Sequence, residues 1–217
     1  MKILLISSSP HKEKSQTFLL AKEVLRGCAN SVESEIIHLF NLRIEFCRHC
    51  EKCHEKILLC PIKDDVHLIL EKMLDAEGII LASPNYINQV TASMKALFDR
   101  SSHFIHCKRL LSKYIAGVVS SGSGRDREVL DYIKYYSNAC GAQYAGGASS
   151  SVPISDEKKE EAFNLGKSLS TVIKDKRLFP DQIEIIEAAK MHFKRIVEKR
   201  KDEWLEEYRY WKDRGWL

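Results

Sequence analysis

Residues Met1 to Thr17, MKILLISSSPHKEKSQT, decide the fold. Residues 2–7 read as a buried strand, followed by a Ser/Pro/Lys loop, and the spacing of Phe18, Ala21, Val24 and Leu25 then predicts a helix. Strand, polar loop and helix in that order open a doubly wound α/β unit. In such a unit the loop at the strand's carboxyl end aims backbone N–H groups and the helix dipole at an anion. The hydroxyls of Ser9, Ser15 and Thr17 add donors there, and Ser15 or Thr17 can cap the helix. Helix capping alone would also account for a serine-rich turn. The loop carries neither GxGxxG nor GxxxxGK[ST], which excludes a standard dinucleotide fingerprint and a nucleoside-triphosphate loop.

Working outward, the same unit recurs. Glu35 to Phe40 reads as a second strand, and Asp64-Asp65 opens a helix with Val66, Ile69, Leu70, Met73 and Leu74 on one face. The two aspartates suit the amino-terminal dipole, and capping is preferred over metal binding for them. Gly78 to Ala82 is wholly apolar, as a central parallel strand covered on both faces should be. It ends at Ser83-Pro84-Asn85-Tyr86, before a helix through Met94, Leu97 and Phe98. Tyr114 to Val119 repeats the pattern and ends at Ser120-Ser121-Gly122-Ser123-Gly124, whose glycines allow a ligand close to the backbone. A helix over about Arg127 to Cys140 and a weaker strand at Gln143 to Ala148 complete five units. Loops 8–17, 83–89 and 120–125 then converge on one crevice at the carboxyl ends of the strands.

The last third reads as helical. One stripe runs through Ala162, Leu165, Leu169, Val172 and Ile173, and a second, on a longer helix, through Ile183, Ile186, Phe193, Val197, Trp204, Tyr208 and Trp211. Lys174 to Pro180 marks a hinge, so residues 1–175 are expected to form the main domain and 176–217 a docking or oligomerising extension. An aromatic stripe of this kind is more often core or subunit interface than a cofactor box.

Four of the seven cysteines fall in Cys47 to Cys60, CRHCEKCHEKILLC, an insertion between the second strand and the next helix. Two residues separate Cys47 from Cys50, two separate Cys50 from Cys53 and six separate Cys53 from Cys60, with Pro61 following. Three thiols at such spacing converge if the backbone loops tightly, and a fourth arrives from a short excursion, as in cubane iron–sulfur sites. Zinc is the alternative, although its sites usually pair two knuckles across a longer gap. His49 and His54 could each replace a thiolate, though histidines between cysteines are more often solvated. An ordinary core cannot explain a run that also holds Arg48, Glu51, Lys52, Glu55 and Lys56. Cys28, Cys107 and Cys140 are scattered and read as buried or incidental thiols.

A chain of 217 residues, 44% hydrophobic and 29% charged, has the composition of a globular protein with a sizeable core. The apolar start Ile3 to Ile6 is too short for a signal-peptide core and no run approaches a membrane span, so residence in a reducing cytoplasm is expected and a disulfide framework is not. The net charge of +4 is spread among acidic residues, so nucleic acid is not an expected partner; transient docking of an acidic electron carrier would suit it, as would a plain solvated surface. None of the eight histidines is spaced to activate a nucleophile.

With these pieces in place the chain resembles the iron–sulfur flavoproteins, a branch of the flavodoxin-like NAD(P)H-dependent FMN reductase family. The resemblance runs from Met1 to about Ser170 and rests on MKILLISSSPHKEKSQT, on the cysteine run ending CPIKDD, and on GIILASPNYINQVTASMKALFDR. It implies a five-stranded flavodoxin-like parallel sheet of order 2-1-3-4-5, holding FMN and a [4Fe-4S] cluster, in a homodimer or homotetramer. By position, Ser9, His11, Ser15, Gln16 and Thr17 would cradle the FMN phosphate. Pro84, Asn85, Tyr86 and Ile87 would lie along the ring edge, and Ser121, Gly122 and Gly124 would approach from the next loop. Cys47, Cys50, Cys53 and Cys60 would ligate the cluster. Relatives commonly have Gly, Arg and Asn where Ser8, His11 and Gln16 stand, which implies weaker or pH-dependent phosphate binding.

The resemblance implies electron transfer between a one-electron centre and a two-electron carrier, from a low-potential donor such as ferredoxin to oxygen, peroxide or a quinone. One rival reading is an NAD(P)H-dependent FMN or quinone reductase with zinc or no metal at the cysteines. The other is an FMN-binding redox sensor without turnover.

Overall fold

The computed structural model describes residues 1–28, 32–122 and 124–217. Its centre is a parallel sheet of five strands, β1 (Lys2–Ser7), β2 (Glu33–His38), β3 (Gly78–Pro84), β4 (Tyr114–Ser121) and β5 (Gln143–Ser151), in the order β2-β1-β3-β4-β5. The continuous apolar runs are explained by the packing, because a central strand alternates its side chains between two covered faces. Ile3, Leu5, Ile80, Ala82, Ala116 and Val118 face α1 (Gln16–Gly27) and a late helix at Asp156–Lys174. Leu4, Ile6, Ile79, Leu81, Ile115 and Val119 face the other layer.

Between β2 and β3 lie α2 (Lys52–Glu55) and α3 (Val66–Asp75). α4 (Ala92–Arg100) and α5 (Ser102–His106) follow β3, α6 (Asp126–Ala139) follows β4, and α7 (Asp156–Lys174) follows β5. α1 and α7 cross where glycine meets glycine. A Cβ on Gly27 would lie 2.0 Å from the Phe163 carbonyl oxygen, and one on Gly166 would lie 2.0 Å from that of Val24.

Several boundaries differ from the sequence reading: β3 continues through Ser83 and Pro84, and β4 through Ser120 and Ser121, residues read as loop. The second strand starts at Glu33 and ends at His38, and Leu39–Asn41 curls into a 3-10 turn. β5 runs three residues past Ala148, because Ser149, Ser150 and Ser151 stay in register with Val119, Ser120 and Ser121. The expected long terminal helix is two, α8 (Pro180–Lys199) and α9 (Leu205–Asp213). The chain turns at Arg200, whose carbonyl accepts from Glu203 and Trp204 N–H at 3.0 and 2.8 Å. That turn lets Trp204 and Trp211 fold back onto Val197 and Cys107 as a third apolar cluster instead of extending into water.

The helix pair packs against the chain itself. Gln182 of α8 spans the outer edge of β5: its Oε1 accepts from Tyr144 N–H at 2.7 Å and its Nε2 donates to the Tyr144 carbonyl at 2.9 Å. A side-chain amide thus occupies edge positions that would otherwise invite another strand.

Candidate functional site

Parallel pairing puts the carboxyl ends of β1, β3 and β4 side by side, with Ser7 opposite Ala82 and Pro84 opposite Ser120. The three loops of the sequence reading therefore meet, and specific bonds tie them. Thr17 Oγ1 and Ser120 Oγ share a hydrogen bond at 2.6 Å. Asn85 N–H donates to the Ser120 carbonyl at 2.9 Å, and Asn85 Nδ2 donates to the Arg125 carbonyl at 3.1 Å. Ser8 fits where it stands, buried with its hydroxyl on the Ala82 carbonyl at 3.2 Å.

In the first loop Ser9, Ser15 and Thr17 are buried, Gln16 is half-buried and His11 is exposed. Ser9 Oγ accepts from His11 N–H at 3.3 Å, and Ser15 Oγ caps α1 by accepting from Phe18 N–H at 3.4 Å. Both hydroxyls are acceptors in these bonds, so each keeps its own proton to donate. The N–H groups of Gln16 and Thr17 are the first two of α1 and have no helical partner. Two buried hydroxyl protons, two orphan amides and a helix dipole fit a phosphate ester. A segment the sequence reading passed over joins them: Ile154 N–H, just past β5, donates to Gln16 Oε1 at 3.4 Å.

The second loop is a tight hairpin. Tyr86 and Gln89 exchange backbone bonds at 3.0 and 3.1 Å around Ile87 (φ 53°) and Asn88 (φ 58°). Positive φ at both central residues is the primed-turn geometry that suits asparagine, whereas a β-branched residue there is strained. Ile87 is also 98% exposed, so its place at the crevice rim is not explained by packing within this chain. In the third loop Ser121 is buried, its hydroxyl accepting from Gly124 N–H at 3.0 Å, and nothing lies within 4 Å of a Cβ built on Gly122 or Gly124. Ser123 lies outside the described residues.

The cysteine segment leaves the core between two paired ends. Asp65 and Arg43 bond at both ends of their contact: Arg43 N–H to Asp65 Oδ2 at 2.7 Å, and Asp65 N–H to the Arg43 carbonyl at 3.0 Å. Glu45 N–H donates to Asp64 Oδ2 at 2.8 Å. Inside this closed loop His49, Glu51 and Leu58 take positive φ, which supplies the tight turns that three neighbouring thiols require. Cys47, Cys50, Cys53 and Cys60 are free thiols carried on this closed loop, Cys47 and Cys50 exposed and Cys53 and Cys60 half-buried. Burial first, and then the negative charges of Glu207, Cys60, Cys47 and Cys50, push the Cys53 thiol up to about 12. Four thiolates gathered on one such loop would repel one another unless a cation lay between them, so the donor set suits a soft metal centre. Two donors already aim at sulfur: His49 N–H lies 3.4 Å from Cys47 Sγ, and Arg100 Nη2 lies 3.3 Å from Cys60 Sγ.

Arg100, the last residue of α4, was not legible as a site residue. Its guanidinium grips Asp64 with both nitrogens, at 2.6 and 3.0 Å, and Nη1 also donates to the Glu45 carbonyl at 2.7 Å. Both side chains are 1% exposed. Asp64 does accept from Val66 N–H at 3.3 Å, as a capping residue would, but its main partner is this arginine. Burial alone would raise the Asp64 carboxyl; the bonds from Arg100, Glu45 and Val66 outweigh it and hold the group below the ordinary range.

The second group missed is His54, His106 and Glu207. His54 is buried rather than solvated, with Nδ1 at 2.5 Å from Glu207 Oε1; His106 Nδ1 is 3.2 Å from Glu207 Oε2. Burial raises the Glu207 carboxyl, and the bonds from His106 and His54 bring it below its ordinary value. These three residues are far apart in sequence, and no local pattern announces them.

The profile of the NADPH-dependent FMN reductase family matches residues 1–156. An iron–sulfur flavoprotein of Methanocaldococcus jannaschii is 35% identical over 192 residues, covering 80% of this chain and 98% of the relative. One from Archaeoglobus fulgidus is 28% identical over 223 residues, covering both chains completely. Among solved structures an NADH:FMN oxidoreductase superposes with a TM-score of 0.59 at 19% identity, covering 78% of this chain and 88% of the other. A flavone reductase superposes with a TM-score of 0.65 at 22% identity, covering 81% and 64% respectively. The chain therefore belongs to the NADPH-dependent FMN reductase family, in its iron–sulfur flavoprotein branch.

Proposed function

We propose that this protein is a flavin-dependent oxidoreductase that binds FMN in the crevice and a [4Fe-4S] cluster on Cys47, Cys50, Cys53 and Cys60, and passes electrons between them. What supports the reading is four free thiols on one loop closed at both ends by backbone and carboxylate bonds, with N–H groups directed at two of the sulfurs. The bound cluster supplies one-electron and the bound FMN two-electron chemistry.

The chain's own residues bind and orient. The Ser9 and Ser15 hydroxyls and the Gln16 and Thr17 amides hold the phosphate, with His11 as a further donor from the rim. Pro84, Asn85, Tyr86 and Ile87 line one edge of the ring, while Ser121, Gly122 and Gly124 leave room at the other. α4 begins beside the ring loop and ends at Arg100 on Cys60, so one rigid helix of roughly 13 Å fixes the cysteine segment relative to the crevice. Arg100 adds positive charge beside Cys60, which stabilises a site that carries net negative charge.

The donor fitting this reading is a low-potential protein such as ferredoxin, with oxygen, peroxide or a quinone as acceptor. Exposed apolar residues at both centres, Phe46 and Leu59 beside the cysteines and Tyr86 and Ile87 at the crevice, suit assembly into a homodimer or homotetramer. The family match favours NADPH as a second donor class. Stopped-flow mixing of the anaerobic FMN-loaded protein with reduced ferredoxin and, separately, with NADPH tests both. Rapid flavin bleaching by ferredoxin supports the proposal. Bleaching by NADPH alone, at a rate unaffected by loss of the cysteine-bound metal, overturns it in favour of a simple reductase.

A further inference from the structure

The turn from α8 into α9 lies against the cysteine segment, and its contacts fall between the candidate ligands. Glu51, between Cys50 and Cys53, pairs with Arg200 and accepts the indole N–H of Trp204 at 3.2 Å. Ile57 N–H, between Cys53 and Cys60, donates to Glu206 at 2.7 Å. His54, next to Cys53, meets Glu207, which is 0% exposed. Trp204 closes the arrangement, its ring 4.5 Å from that of His54 and 5.1 Å from that of His106.

His54, His106 and Glu207 offer donor atoms within 4.8 Å of one another, which invites a metal-site reading. Ring geometry decides against it. The two imidazoles are stacked, centroids 4.5 Å apart and planes 14° from parallel. An imidazole lone pair lies in its ring plane, so an ion in line with one ring is several ångström out of the plane of the other. A carboxylate has no such conflict, since it presents a separate oxygen to each ring. With Nδ1 donating in both histidines, His54 Nε2 is left as the acceptor, and Ser102 Oγ stands 3.3 Å from it.

We propose that Glu207 is a positioning residue for the cluster. Through His54 it fixes Cys53, and together with the Arg200–Glu51 and Glu206–Ile57 contacts it makes the α8–α9 pair a clamp on the ligand segment. This rests on the reading that the four cysteines hold a cluster. Partners one bond removed from metal ligands commonly change metal retention by about 10–100-fold. The clamp also brings charge: Glu207 is a buried anion near Cys53, and Arg200 is a cation near Glu51.

The test uses full-length, FMN-loaded protein prepared anaerobically as wild type, Glu207→Gln and Arg200→Gln, with iron release to a chelator and the cluster reduction potential as readouts. Both variants should release iron about 10–100-fold faster than wild type. The potential should move in opposite directions, more positive in Glu207→Gln, where an anion is lost, and more negative in Arg200→Gln. Unaltered flavin content shows that the main domain is intact. Release rates within twofold of wild type, or potentials that move together in both variants, overturn the clamp. If Glu207→Gln fails to accumulate, the release rate and potential of Arg200→Gln decide alone. Wild-type protein that holds zinc and no sulfide contradicts the cluster reading instead, and the same release assay with a zinc chelator then decides the clamp separately.

Discussion

Arg100→Met removes one partner of a buried ion pair and leaves the shape of the site nearly filled. Asp64 then keeps the N–H groups of Glu45 and Val66 but has no counter-charge, with its side chain 1% exposed. Breaking a buried pair in this way costs about 3–5 kcal/mol, most of it from the uncompensated charge. In a chain of this length each kcal/mol moves the melting temperature by about 2–4 °C, so a fall of roughly 6–20 °C is expected. The double variant Arg100→Met with Asp64→Asn removes the stranded charge as well and should recover most of the loss, because a buried pair and a neutral replacement differ little. Urea unfolding of wild type, both single variants and the double variant gives the coupling energy directly, provided the slopes agree. The sign with pH follows from the lowered Asp64 carboxyl. Its contribution is complete above the ordinary carboxylate range of about 4 and disappears as pH falls through the lower folded value, so the wild-type advantage over Arg100→Met should shrink below about pH 4. A single-variant cost under about 1 kcal/mol, or a double variant that costs the sum of both singles, would refute the reasoning.

Lys108 is 0% exposed, with its ammonium on the Ala139 carbonyl at 2.9 Å and 5.0 Å from the Phe193 ring, and burial pulls it down to about 8. The unfolded chain therefore holds a proton that the folded one has released between about pH 8 and 10, so this lysine contributes a rise of up to about 3 kcal/mol across that window, against the opposite slope of the buried Cys107 and Cys140 thiols, which stay protonated when unfolded thiols ionise. The stability difference between wild type and Lys108→Met should therefore change by that amount in favour of wild type from about pH 8 to 10, and a difference that stays constant across the window would contradict it. Gly166→Ala places a methyl 2.0 Å from the Val24 carbonyl and should lower stability in urea by about 1–3 kcal/mol or more as α1 and α7 separate; a neutral result would mean the crossing is loose. Gly122→Ala meets nothing within 4 Å and should leave apoprotein stability unchanged while weakening FMN in a fluorescence titration. Ser15→Ala should both weaken FMN and cost about 1 kcal/mol in the apoprotein through loss of the cap; FMN affinity equal to wild type in both variants would remove these loops from the site.

Legibility tracked the range of the interactions. The strands were readable because a central parallel strand covered on both faces must be a continuous apolar run, as Ile3 to Ile6 and Gly78 to Ala82 are. Strand order was implied by resemblance rather than by the runs themselves, which carry no neighbour information. The cysteine run suggested a shared centre because thiols that ligate one centre must lie close along a tightly turning backbone. Arg100 was invisible for the opposite reason: its partners, Glu45, Cys60 and Asp64, are 36 to 55 residues away, and an arginine closing a helix looks like any surface arginine. Glu207 lies 153 residues from His54 and sits in an acidic stretch typical of a solvated helix face. The break at Arg200 carried no glycine or proline to mark it. It exists because Trp204 and Trp211 gain a covered surface by turning back, a tertiary effect that periodicity does not encode.

The central claim is that four cysteines and a flavin crevice in one chain hold two redox centres. The most direct test is analysis of iron, acid-labile sulfide, zinc and flavin in anaerobically purified protein, read with its visible spectrum. The account predicts about four irons and four sulfides per chain, one FMN, and broad iron–sulfur absorption beneath the flavin bands. One FMN with stoichiometric zinc and no sulfide would contradict the electron-transfer reading, and protein devoid of flavin would contradict the assignment of the crevice itself.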